Sequence, residues 1–299
     1  MLALRTLLVL GLAVSFAGCA GSADRQGFDE KPDGGAGDTP PPASTGDFGN
    51  EPPPPPPEVP EVHEVYGQSA TTLYKLEPAT KAVTVVGDFK GCEPINDIAL
   101  NEGSTLYAVS RKTLYTVDKN TATCTQIHTI ETGDYPNSLS FVPKGTLDAN
   151  EEALVGYDDG NYVRIDLKTG ARSVVGALNA GKLISSGDIT SVKGGKTYLT
   201  VKATGKTDPC YENDCLVEVD PKTGKMLKNW DSIEHNDVFG LSFWGGNVYG
   251  FDKEGNLFEV VFGSNKIVTK TIPIPQKPAG LTFYGAGSST SAPLVADPQ

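Results

Sequence analysis

From Val65 onward the chain consists of short runs in which apolar and polar residues alternate, each closed by a turn. Thr72-Leu73-Tyr74-Lys75-Leu76 leads into Glu77-Pro78-Ala79-Thr80, and Thr113-Leu114-Tyr115-Thr116-Val117 into Asp118-Lys119-Asn120-Thr121. The unit returns as Asn161-Tyr162-Val163-Arg164-Ile165 with Asp166-Leu167-Lys168-Thr169-Gly170. It returns again as Cys215-Leu216-Val217-Glu218-Val219 with Asp220-Pro221-Lys222-Thr223-Gly224. A fifth copy, Asn256-Leu257-Phe258-Glu259-Val260, ends in a degenerate turn at Gly263-Ser264-Asn265. Alternation of period two is the mark of a half-buried strand. The turn supplies the reversal, because its Asp accepts from the backbone that follows and its Gly takes a positive φ.

Each later copy is preceded by two more strand-like runs. Examples are Asp97–Leu100 with Thr105–Val109, Ser138–Phe141 with Ala153–Tyr157, Ile189–Val192 with Thr197–Val201, and Gly240–Phe243 with Asn247–Phe251. The equivalent positions Leu73, Leu114, Tyr162, Leu216 and Leu257 recur at intervals of 41, 48, 54 and 41 residues, the longer two carrying insertions at 142–151 and 203–214. Four strands in about 40–45 residues predict a propeller blade. The first unit starts at its second strand, Val65-Tyr66, while the last run, Ala279-Gly280-Leu281-Thr282-Phe283, has no blade of its own. Joining the two predicts an all-β, five-bladed β-propeller over residues 62–285 with no long free edge, and leaves 286–299 as a disordered polar tail. The pattern resembles bacterial propeller repeat proteins of the WD-repeat and NHL-like kind. That resemblance implies the architecture and leaves activity open, since one fold hosts many functions. A pair of immunoglobulin-like sandwiches, the competing arrangement, explains neither the repeated hairpin nor the missing strand.

The start of the chain is different in kind. Arg5 precedes an apolar run from Leu7 to Ala17. That run is too short to cross a hydrocarbon core of ~30 Å at ~1.5 Å per residue. It reads as the apolar region of a signal peptide spanning 1–18. Phe16-Ala17-Gly18-Cys19 resembles the lipobox of bacterial lipoproteins, with Phe16 in place of the usual Leu. The resemblance implies that Cys19 is lipidated, and several acyl chains at one terminus hold a protein on a membrane where one is marginal. Ala20 after the cysteine implies the outer rather than the inner membrane. The alternative is an ordinary secretory signal cut near Ala20 or Ala23. Residues 20–61 contain 11 of the 22 prolines, seven glycines, and nine acidic against two basic residues. Such a segment cannot bury enough apolar surface to offset chain entropy, so it is expected to be a disordered tether. The Pro52–Pro57 run extends it as polyproline II.

Charge narrows the partners. The net charge of −12 over 299 residues lacks the basic footprint that phosphate backbones require, which excludes nucleic acid. The expected partners are the membrane, through the lipid, and a protein or glycan on a monomeric ring.

In a propeller, the starts of the innermost strands share a face with the loops joining second to third strands. Asn96, Asp97, Asn137, Asp188 and Asp237, with Asn236 beside the last, therefore converge near the mouth of the central channel as candidate ligand-binding residues. Such a set suits a sugar, or a hard cation such as Ca²⁺ in the channel. The simpler reading is that each short side chain caps its own loop. No other cofactor is indicated.

Besides Cys19 there are four cysteines, an even set that suggests disulfides in an exported chain. Cys210 and Cys215 close a tight loop in the fourth unit. Cys92 and Cys124 form the remaining pair, with buried free thiols as the alternative. Cys92 precedes an innermost strand and Cys124 opens an outermost one at the opposite face, so topology resists that bridge. His63, His128 and His235 are scattered, and neither a Cys-x-x-Cys pair nor a Gly-x-Ser-x-Gly motif occurs. The repeated tyrosines at 74, 107, 115, 162, 198 and 249 fit packing between blades.

Two functions follow. One is a non-catalytic binding or scaffolding lipoprotein for protein or glycan. The other is a glycosidase or lactonase-like hydrolase, resembling five-bladed glycoside hydrolases, with Asp97, Asp188 and Asp237 as its channel-mouth carboxylates. The first is preferred, because the strands lack the dense Trp and His of such enzymes.

Overall fold

The repeating hairpins form where the alternation places them. The computed structural model describes Glu61 and residues 64–295; the signal segment 1–18, Cys19, the tether up to residue 60 and His63 lie outside the described residues. The first blade contains β1 (Val65–Gln68), β2 (Thr72–Leu76) and β3 (Val83–Asp88). The second contains β4 (Ile95–Leu100), β5 (Leu106–Ser110), β6 (Thr113–Val117) and β7 (Cys124–Thr129). The third contains β8 (Ser140–Val142), β9 (Ala153–Asp158), β10 (Asn161–Ile165) and β11 (Arg172–Ala177). The fourth contains β12 (Leu183–Ser191), β13 (Thr197–Ala203), β14 (Cys215–Val219) and β15 (Met226–Ser232). The fifth contains β16 (Val238–Trp244), β17 (Asn247–Asp252), β18 (Leu257–Phe262) and β19 (Ile267–Ile272). A last strand, β20 (Gly285–Ser288), returns to the first blade as its inner strand, in the order β20-β1-β2-β3. The result is a five-bladed β-propeller, all antiparallel within blades and without a helix among the described residues.

The hydrophobic core is divided among the gaps between blades. Five clusters of buried side chains each draw on two adjacent blades; Val155 and Tyr157 of the third, for example, pack with Leu199 and Val217 of the fourth. The turns take part. Asp118, Asp166 and Asp220 accept from backbone N–H groups two residues on, and the first two also from those three residues on. Gly170 and Gly224 hold φ of 66° and 68°. The Tyr157 hydroxyl of the third blade donates to Gly224 O at 2.5 Å and that of Tyr162 to Pro221 O at 2.9 Å, docking the fourth blade's turn. Tyr107 packs on Phe141 and Tyr198 on Phe262, again across blade boundaries.

The closing strand differs from expectation. Ala279–Phe283 forms no strand; Leu281 and Phe283 instead fill the core between the fifth and first blades. β20 pairs with β1 through Tyr66↔Gly287 and Gly67↔Ala286. The reason is space. A Cβ on Gly285 would overlap Asp97 Oδ1, and one on Gly240 would lie 2.8 Å from Ala286 Cβ. Beside Asp97 and Gly240 the closing strand has room for nothing larger than Gly, Ala and Ser, and Gly285-Ala286-Gly287-Ser288 supplies them.

The ring therefore extends past residue 285 into the segment expected as a tail. Ser289–Ala292 are buried and run across one end of the channel. Ser289 Oγ donates to Asn101 O, Ser291 Oγ to Glu102 O, and Thr290 Oγ1 to Glu152, while Thr290 O accepts from Lys193 N and Pro293 O from Gly245 N. This belt ties the second, third, fourth and fifth blades to the strand that completes the first.

Both disulfides are present, with Cα–Cα distances of 5.3 Å for Cys210–Cys215 and 5.6 Å for Cys92–Cys124. The second bridge corrects the topological objection to it. Strands twist by about 20–25° relative to their neighbours, so by the fourth strand of a blade the twist turns the outer strand toward the circumference. The start of β7 is thereby swung against the segment leaving β3, where Lys90 N donates to Ala122 O and Cys124 N to Lys90 O.

Crowding at the axis makes a direct prediction. Gly285→Ala should destabilise the ring by about 1–3 kcal/mol, the usual overpacking penalty. Gly160→Ala, where a Cβ meets open space, should change stability by less than ~0.5 kcal/mol. Urea unfolding of the two variants distinguishes them.

Candidate functional site

At the axis, Asp97, Asp188, Gly240 and Gly285 of four inner strands, with Ser138 just before β8, stand at corresponding positions, each followed by an apolar residue. The two carboxyls occupy the room that the glycines leave. Asp97 Oδ1 accepts from its own Ile98 N at 2.8 Å. Asp188 accepts from Ile189 N at 2.6 Å and, across the blade boundary, from Leu241 N at 2.7 Å. Both residues are completely buried, and their side chains hydrogen-bond each other. Two carboxylates cannot do so without a proton between them.

Burial, then the Asp188 charge beside it, raises the Asp97 carboxyl well above its ordinary range. Burial raises Asp188 as well, but its backbone N–H donors, Leu241 and Ile189, favour its ionised form. The proton therefore belongs on Asp97. As a carboxylate its Oδ2 would have no donor; as an acid it donates to Asp188. These aspartates plug the channel rather than line its mouth, and each caps backbone N–H groups. Among the described residues, no three His, Cys, Asp or Glu side chains assemble into a metal-holding group.

The mouth itself is built by other residues. A depression of about 330 Å³ opens on the face where the inner strands begin, lined by Asn96, Asn137, Ile95, Phe239 and Tyr284 among others. Phe239 and Tyr284 are half-buried and stacked, with centroids 6.1 Å apart and ring planes at 20°. Gln68, wholly buried, anchors this rim: its Nε2 donates to Asn96 O at 3.0 Å and its carbonyl accepts from Tyr284 N at 2.7 Å. Asp214, beside the Cys210–Cys215 bridge, anchors the opposite side. Its Oδ2 accepts from Val238 N at 2.7 Å, its N donates to His235 O, and its carbonyl accepts from Ile233 N, which holds the segment leading to Phe239. Burial raises the Asp214 carboxyl to about 6, against the Val238 N–H and Lys202. With the aspartate plug and the belt beneath it, the depression is a closed bowl.

Of the residues expected to converge, Asn96 and Asn137 meet at the bowl and Asp97 and Asp188 lie beneath it. Asp237 sits apart at the rim of the fifth blade, with His235, Asp252 and Asn256. Asn236 accepts from Lys202 Nζ at 2.6 Å. Phe239, Tyr284, Gln68 and Asp214 were not foreseen. Their one signal is placement: the two aromatics stand directly before the glycines Gly240 and Gly285 of inner strands.

No family model matches the chain, and no curated protein does. Among solved structures it is similar to the nidogen/laminin complex, with a TM-score of 0.44, 12% identity, and coverage of 75% of this chain and 97% of that one. A gluconolactonase from Xanthomonas campestris gives a TM-score of 0.44 at 13% identity, over 72% of this chain and 76% of that one. A protein of unknown function from Bacteroides caccae gives 0.37 at 14%, over 74% and 76%.

The plug carries a pH dependence. An unfolded aspartate titrates near 4. A carboxyl whose folded pKa is raised contributes stability that is full below that value and is lost as pH rises through the folded pKa. Asp97 and Asp214 both act in this sense. Asp118, Asp166 and Asp252 are shifted downward, so they stay ionised in both states above pH ~5 and add no slope there. Thermal unfolding should therefore occur at a lower temperature at pH 8 than at pH 5. Asp97→Asn, whose amide can donate to Asp188 without a titrating proton, should flatten that difference. It should also stabilise the ring at pH 8 by on the order of 1 kcal/mol or more.

Proposed function

We propose that this chain is an extracytoplasmic, lipid-anchored binding module whose bowl receives a glycan. The observation that carries the reading is the half-buried Phe239–Tyr284 stack beside two amides, Asn96 and Asn137, above a sealed channel. An apolar shelf bordered by a few fixed polar groups is the composition of a small-ligand site. Sugar rings have an apolar face that lies on an aromatic and hydroxyls that bond to amides. The concavity favours a glycan over a flat protein surface.

The hydrolase alternative loses support on geometry. A general acid or base must come within hydrogen-bond reach of its substrate. Asp97 and Asp188 are buried and committed to each other and to backbone N–H groups, and Asp237 is on another part of the face.

Glu64, the last residue before β1, is held by Lys119 and Ser104, with Lys75 at 3.7 Å. Ser104 lies in the turn between β4 and β5, at the end of the ring opposite the bowl.

Two experiments test the proposal. Tyr284→Ala and Phe239→Ala should each weaken binding of array-selected glycans at least tenfold by calorimetry, with the unfolding temperature nearly unchanged; retention of full affinity in both would remove the bowl from the account. Cys19→Ala should abolish labelling by radioactive palmitate and release the protein from the outer-membrane fraction. A variant that remains membrane-bound would refute lipid anchoring at that cysteine.

A further inference from the structure

We infer that the bowl is one half of a longer groove, and that its ligand is a neutral oligosaccharide of two or more sugars whose second unit is read by Ser185 and Asp159. The inference rests on the sugar-binding reading of the bowl and extends it to ligand length and charge.

A second depression, of about 400 Å³, adjoins the first and shares Asn96 and Asn137 with it. Its far wall is the fourth blade. β12, at nine residues, is the longest inner strand. After a register shift between Ser185 and Ile189, its first part, Leu183–Ser185, pairs with Val201–Ala203 and raises this blade above the face. The wall is braced from behind: Ala203 N donates to Cys210 O at 2.8 Å, and Cys210 is bridged to Cys215.

Ser185 on this wall is 8% exposed, and its hydroxyl has no hydrogen-bond partner. A buried hydroxyl without a partner is destabilising by about 1–3 kcal/mol, so its retention calls for an explanation such as a ligand. Its backbone N–H donates to Asp159 O at 2.9 Å, which fixes the two residues together. Asp159 stands in the turn between β9 and β10 with φ of 52°, a conformation rare for residues other than glycine.

Charge sets the ligand class. Arg111 Nε donates to Asp134 Oδ2 at 2.8 Å, and Arg172 lies 3.7 Å from Asp158, so both nearby guanidinium groups already face carboxylates. Among the described residues no cation pairs with Asp159. With Asp134, Asp158 and Asp159 against those two guanidinium groups, the groove repels anionic glycans, while a hydroxyl can donate to Asp159 and bond to Ser185.

The full-length lipoprotein in detergent, tested on an array of neutral mono- to tetrasaccharides followed by calorimetry, decides the matter. At least one di- or trisaccharide should bind tenfold or more tightly than its own monosaccharide. Ser185→Ala and Asp159→Asn should each remove most of that gain while leaving monosaccharide affinity within twofold. Equal affinity for short and long sugars, or a gain that survives both substitutions, overturns this inference. If monosaccharides bind, Tyr284→Ala abolishes that binding and no longer sugar gains, the bowl remains a sugar site and only the groove falls. If no sugar binds, both readings fall.

Discussion

Closing five twisted sheets into a ring leaves almost no volume at the axis, and the rest of the structure follows from how that volume is filled. Two blades contribute aspartates and two contribute glycines at corresponding positions, so the carboxyls extend into the room the glycines leave. Buried together, the aspartates share a proton and accept N–H groups from their own and neighbouring blades. A charge-assisted hydrogen bond in such surroundings is strong, whereas either partner alone would be a buried group without compensation. The plug therefore links blades that sequence-local hairpins cannot join.

The opposite end is closed by a different device. Ser289–Pro293 lays main-chain and hydroxyl groups across the bottoms of four blades immediately after β20 completes the first. Covalent continuity makes the latch cooperative, because displacing the belt also pulls on the closing strand. The consequence for function is that the propeller has one open face. A through-channel would scatter its polar groups along the axis; a floor leaves Asn96 and Asn137 gathered at the rim.

At that rim the residues are held from below. Gln68 carries both Asn96 and Tyr284, and Asp214 carries the segment leading to Phe239. Anchoring by buried side chains is what lets loop residues act as a preformed surface, since a mobile loop would lose ordering entropy on binding. The Cys210–Cys215 bridge acts in the same sense on the fourth blade, whose raised wall separates this face from a flat ring top.

The sequence by itself determined the local structure: the alternating runs became strands, the Asp-x-x-Thr turns became hydrogen-bonded reversals, and the repeat count became the number of blades. Those features depend on neighbours a few residues apart. It also showed that strands near the axis begin with short polar residues, but it could not say whether Asp97 and Asp188 face solvent or each other, because that depends on residues more than 90 positions apart. Leu281 and Phe283 looked like an inner strand by hydropathy, yet only the packed ring shows that the axis admits nothing larger than alanine or serine there. The Cys92–Cys124 bridge likewise awaited the accumulated twist of four strands, a property of the sheet and of no residue within it. Tertiary structure decided these points because each is a question of distance across the ring, and alternation along a chain carries no information about distance between blades.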